Sequence, residues 1–150
     1  GPLIADGGVT DDRALAARAD VLTFTGEPLT HDLDVVGTPG IELAHTTDNP
    51  HADLFVRISD VDAKGRSHNV TETYRRLEPG PVRLTLRPAA HRFLAGHRVR
   101  VLIAGGSHPQ FARNLGTGDN PGTGSDLKPC RHTITHDGTG NTLRLPVTGA

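Results

Sequence analysis

Residues 52–70 read ADLFVRISDVDAKGRSHNV. Leu54, Val56 and Ile58 alternate with Phe55, Arg57 and Ser59. Strand side chains point to opposite faces in turn, so a period of two marks a strand with two unlike faces. Asp62-Ala63-Lys64-Gly65 breaks the alternation with turn residues, and Gly65 can take the positive φ that a short hairpin loop needs. The extended pattern resumes over residues 67–72. The stretch predicts a long β-hairpin, a scaffold element with no obvious chemistry.

The same grammar recurs on both sides of it. Residues 20–25, 33–36, 41–46, 82–87, 97–104, 131–136 and 142–147 read as strands. Breaks such as Glu27-Pro28, Gly37-Thr38-Pro39-Gly40 and Asp48-Asn49-Pro50 separate them. Val82, Leu84 and Leu86 are expected to face inward; Val99, Val101 and Ile103 share a face opposite Arg98 and Arg100. The segments 131–136 and 142–147 are expected to pair with each other. Residues 88–96 read as a connection with one helical turn at Ala89-Ala90-His91. Residues 107–129 read as a long irregular loop, a kind that is uncommon and often functional. Residues 1–19 lack alternation and read as an arm or linker, within which 11–18 could make two helical turns behind an Asp. About nine or ten short strands with frequent turns point to an all-β sandwich or barrel.

Composition agrees. A chain of 150 residues fits one domain, and 18 Gly with 11 Pro supply the turns. The net charge of −1 excludes the basic footprint of a nucleic-acid binder and gives no pull towards an anionic membrane. No apolar run approaches the roughly 20 residues of a membrane span. Cys130 is the single cysteine, so no internal disulfide can form. With no signal segment at the start, the compartment is open, with a lean towards the cytoplasm. Methionine is absent, so the chain is expected to be processed or cut from a longer protein.

Several constellations approach known chemistry. Gly105-Gly106-Ser107-His108-Pro109 approaches a nucleophile elbow but ends in Pro with no helix after it, and adjacent Ser107 and His108 point apart in extended chain. Asp60-x-Asp62-x-Lys64-Gly65 resembles the start of a calcium loop, but Thr71 stands where a bidentate Glu belongs, and a hairpin turn is the plainer reading. His132 and His136 have the spacing of zinc ligands on a helix, yet on a strand they lie about 13 Å apart; no metal is expected there, with or without Cys130. The glycines of 116–124 lack the strand and helix of a phosphate loop. His45, His91, His97 and His108 read as rim or hydrogen-bonded histidines. With no Trp and one Tyr, Tyr74, the aromatic platforms of a sugar site are sparse. Asn69-Val70-Thr71 is a sequon with nothing else to indicate secretion.

Four stretches together carry a likeness: DVLTFTGEPLTHDLDVVG (20–37), ADLFVRISDVDAKGRSHNVTE (52–72), LRPAAHRFLAGHRVRVLIAGGSHPQFARNLGTG (86–118) and HTITHDGTGNTLRLPV (132–147). In this order they resemble the C-terminal domain of the cocaine esterase / X-Pro dipeptidyl-peptidase family of serine hydrolases. The resemblance implies a galactose-binding-like jelly-roll β-sandwich at 20–150. It implies that 1–19 is the arm from an absent upstream α/β-hydrolase catalytic domain. That domain, the implied partner, would hold the Ser-Asp-His triad. The resemblance therefore implies no catalytic residue, cofactor or metal in this chain; a homo-oligomer is left open, and nucleic acid and membrane are not expected partners. The expected role is to pack on the catalytic domain and help wall its cleft, through His91 and Phe93 of the 90–96 connection and Phe111, Arg113 and Asn114 of the 110–124 loop. Aromatic and Arg side chains on polar loops have the composition of interface anchors. The rivals are a free-standing module for carbohydrate or another small ligand, and an autonomous hydrolase using Ser107 and His108.

Overall fold

Residues 53–61 pair with strands on both sides, and the rest of the architecture is arranged about them. The computed structural model describes residues 11–78, 80–105, 131–135 and 140–148. Within these the strands are β1 (Val21–Thr25), β2 (Leu33–Gly37), β3 (Gly40–Leu43), β4 (His45–Thr47), β5 (Asp53–Val61), β6 (Ser67–Arg76), β7 (Val82–Thr85), β8 (Ala89–Phe93), β9 (Arg98–Ala104), β10 (His132–Ile134) and β11 (Thr142–Arg144). One short helix, α1 (Arg13–Ala16), precedes them.

The first layer is a four-stranded antiparallel sheet in the order β1-β9-β5-β6. The second is built from β2 with β8, β3 between β11 and β7, and β4 with β10, again all antiparallel. Leu54, Val56 and Ile58 of β5, with Val101 and Ile103 of β9, form one wall of the core. Val35, Ile41, Leu43, Val82, Phe93 and Ile134 form the other. Two layers of antiparallel strands that bury alternate residues against each other make a β-sandwich, as the alternation predicts.

The hairpin follows from its sequence. Gly65 sits at φ +82°, and Asp62 Oδ1 accepts hydrogen bonds from the backbone N–H of Lys64 and Arg66, at 2.9 and 3.0 Å. That carboxylate mimics a backbone turn, so it closes the loop. β6 runs on to Arg76, beyond the expected extent. The β5–β6 register slips between Ile58 and Ser59, which leaves Val70 as the extra residue of a bulge.

Three expectations are corrected. Residues 89–93 form strand β8, paired with β2 from Leu33↔Phe93 to Gly37↔Ala89, and make no helical turn. The two C-terminal strands do not pair with each other: β10 joins β4 and β11 joins β3. The segment 41–46 is split at Ala44, whose N–H donates to Asn141 Oδ1 at 2.8 Å and whose carbonyl accepts from Thr135 N at 3.0 Å. Ala44 thus hands the chain from one C-terminal partner to the other. Gly140, at φ +77°, passes so close that a Cβ there would meet Ala44 Cβ at 3.0 Å.

A further departure is the face of β5 that carries Phe55, Arg57 and Ser59. All nine residues of β5 are buried. The cover is the stretch around α1: Leu15 and Ala16 pack on Val21, Phe55, Leu102 and Ala104. Among the described residues no helix is long and apolar enough to cross a membrane.

Candidate functional site

The outer face of the four-stranded sheet buries charge. Arg57 and Glu72 stand directly opposite in the β5–β6 register. Arg57 Nε and Nη2 both donate to Glu72 Oε2, at 2.8 and 2.7 Å. The guanidinium also lies 5.3 Å from the Phe55 ring centroid, a cation–π distance. Its third nitrogen, Nη1, is 3.6 Å from Asp12 Oδ2, and Ser59 Oγ donates to the same Asp12 oxygen at 2.5 Å. Beside this group the Tyr74 hydroxyl donates to Asp53 Oδ2 and Arg76 Nε donates to Asp53 Oδ1. Burial, reinforced by the Asp53 carboxylate, pushes the Tyr74 hydroxyl above its ordinary range and keeps it a donor.

A second cluster sits where β5 ends. Asp60 is buried, and each carboxylate oxygen meets an imidazole: His91 Nε2 at 2.8 Å and His97 Nδ1 at 2.8 Å. His91 comes from β8 and His97 from the turn before β9, so one carboxylate ties both layers together. The His91 ring meets Phe93 edge-on at 4.7 Å.

The third is a histidine pair. His45 Nε2 and His132 Nδ1 lie 2.9 Å apart, bridging β4 and β10, and the His132 ring presses on Gly105, where a Cβ would lie 2.9 Å from Nε2. The contact needs one nitrogen to carry a proton and the other to accept it. Burial, and after it the neighbouring His132, pushes His45 below the usual histidine range; burial lowers His132 too, against weaker opposing pulls from Asp48 and Asp53. The unfolded chain then takes up protons first as pH falls. The stability held by this pair is therefore fully present above about pH 6.5 and is lost as pH drops through the folded values. The melting temperature is expected to fall between about pH 7.5 and about pH 5.5, and to fall less in a His45→Asn/His132→Asn variant. Equal falls in the two proteins would contradict this.

Beside His45 an open cleft of about 530 Å3 is lined by Thr46, Asp48, Asn49, Leu77, Glu78 and Val82 among others. It offers carboxylates and hydroxyls. Among the described residues no group of three His, Cys, Asp or Glu side chains could hold a metal.

Of the residues expected to contact a catalytic domain, His91 keeps its side chain one-third exposed. Phe93, by contrast, has no exposed surface and belongs to the core, so any part it plays at a surface is to seat His91 from beneath. Where the sequence predicts a connection, the alternation of Ala89, His91 and Phe93 in strand β8 turns Phe93 inward. Phe111, Arg113 and Asn114 lie outside the described residues, as do Ser107, His108, Cys130 and His136. By sequence Asp60 belongs to a turn motif; its role needs His91 and His97, which stand 31 and 37 residues away. His97 is, as expected, a hydrogen-bonded histidine.

Residues 4–143 match the family described as the X-Pro dipeptidyl-peptidase C-terminal non-catalytic domain. A Mycobacterium bovis protein provisionally named a serine esterase is 33% identical, over 65% of this chain and 20% of its own length. The cocaine esterase of a Rhodococcus species is 27% identical, over 75% of this chain and 22% of its own. Among solved structures, an α-amino acid ester hydrolase superposes with a TM-score of 0.80 at 26% identity, covering 93% of this chain and 27% of that one. The chain thus spans about a fifth of the length of the curated relatives it matches.

Proposed function

The chain belongs to the family of X-Pro dipeptidyl-peptidase C-terminal non-catalytic domains, and on that footing we propose that it is the accessory jelly roll of a larger serine hydrolase. In that protein an α/β-hydrolase domain would carry the triad and cleave esters or peptide bonds through an acyl-enzyme, its histidine acting as base. The present domain would pack on it and help wall its cleft. Residues 20–150 would be the jelly roll, and 1–19 the arm that joins it to the catalytic part.

The observation that carries this reading is the family match along nearly the whole chain, to a domain type described as non-catalytic. The geometry supports it. The most buried ionisable groups tie strands together: Arg57 to Glu72, Asp60 to His91 and His97, and Asp53 to Tyr74 and Arg76. On the outer side of β2 and β8, Val36 is about half exposed and stands opposite Ala90. Leu94 follows just after β8, also about half exposed. Val36, Ala90 and Leu94 give this outer side apolar surface to offer a neighbouring domain, while His91, on the opposite face of β8, keeps one-third of its side chain exposed.

The test is alanine at Phe111 and Arg113 in the full-length enzyme. Interface anchors of this kind are worth about 2 kcal/mol or more, so activity or the melting temperature is expected to fall clearly. If both stayed unchanged, the proposed contact through residues 110–124 would be wrong.

A further inference from the structure

We propose that the outer face of the β5–β6 hairpin is a carboxylate-binding site, and that Asp12 is its ligand, supplied in cis. The receptor is complete without the segment that fills it. Arg57 lies along β5, and Glu72 engages its Nε and Nη2. That orients Nη1 towards Asp12, 3.6 Å from Oδ2. Ser59 Oγ donates to that oxygen at 2.5 Å from a position 47 residues later in the chain. The Ser67 carbonyl accepts the Asp12 N–H at 2.7 Å, and Asp11 bridges to His68, so the segment lies antiparallel against the start of β6. Both charged partners are almost wholly covered, with 2% of each side chain exposed.

Two loose ends argue that this is a receptor rather than ordinary packing. Among the described residues, Asp12 Oδ1 and Ser67 Oγ are buried without a hydrogen-bond partner. Buried polar atoms are almost always satisfied, and here an acceptor and a donor stand idle on the two residues that the backbone bond brings together. The Asp12 backbone is committed to Ser67, so its carboxylate cannot turn freely to use both. A small carboxylate not tethered to a backbone could accept from Arg57 and Ser59, the two side chains that meet the Asp12 carboxylate, and is free to shift towards the idle Ser67 hydroxyl. Charge-assisted bonds of this kind are the strong ones. The hairpin therefore recognises a carboxylate as such, and residues 11–16 are fastened to the sheet by it. This inference stands independently of the hydrolase reading.

The experiment removes the cis ligand and offers one in trans. Asp12→Gly is expected to melt below the wild type. Formate is expected to raise the melting temperature of that variant by roughly 2 °C or more over chloride at matched ionic strength. In the wild type, whose site is filled, formate and chloride should be indistinguishable. An equal response of Asp12→Gly to the two anions overturns the proposal. Should that variant not fold, Asp12→Asn keeps the shape without the charge. Trypsin is then expected to cut after Arg13 and Arg18, both exposed, several-fold faster than in the wild type. Equal cleavage rates would overturn the proposal as well.

Discussion

Arg57→Ala is expected to remove a large part of this chain's stability, its urea midpoint falling far below that of the wild type. The guanidinium is the largest fully buried side chain among the described residues and the only cation within reach of two buried carboxyl groups among the contacts seen there, Glu72 and Asp12. Taking charges out of water is costly, and their mutual attraction and hydrogen bonds offset that cost only while the set is complete. Removing one partner of a buried pair costs about 3–5 kcal/mol, against a total of about 5–15 kcal/mol for a domain. The truncation also removes the guanidinium that lies over the Phe55 ring, adding the loss of that cation–π contact. Urea denaturation followed by far-ultraviolet circular dichroism measures this directly. Replacing Arg57, Glu72 and Asp12 together by apolar residues of similar volume should be far milder, since no unpaired charge remains. A single Arg57→Ala midpoint close to that of the wild type would mean that the pair is not shielded from water as described.

The alternation of Leu54, Val56 and Ile58 was enough to predict β5, its turn and the inward face of the sheet. What stayed hidden was the other face. Arg57 and Ser59 look like solvent residues by type, and only Phe55 among them hints at cover. The cover comes from residues 11–16, a stretch too short to show a period and attached through one buried aspartate. β8 was missed for a related reason. Ala-Ala-His has no strand preference of its own, and its extended form is imposed by pairing with β2, far away in the chain. Neighbouring strands usually pair, which misdirected the reading of β10 and β11. Their true partners, β4 and β3, are successive strands that separate at Ala44.

The same physics governed the candidate residues. His91 was legible as a polar residue near a surface. Its partner was not, because Asp60 sits in a stretch, Asp60-x-Asp62, that spells a turn. Only Asp62 serves the turn, while Asp60 reaches across to two histidines. No local pattern encodes a carboxylate shared between strands that meet only in the folded state.

The other large effect concerns catalysis. If the reactive machinery belongs to a separate α/β-hydrolase domain, this chain should have none of the rate enhancement, about a million-fold or more, that enzymes typically supply. The residual acceleration that survives loss of a triad comes from an oxyanion hole and substrate binding, and these too would reside in that separate domain. The decisive measurement is turnover of an activated acyl ester by the purified chain, beside the full-length polypeptide. Release at the buffer rate from the chain, with clear turnover by the longer protein, is the expected result. Turnover by the chain alone that disappears in Ser107→Ala would contradict it.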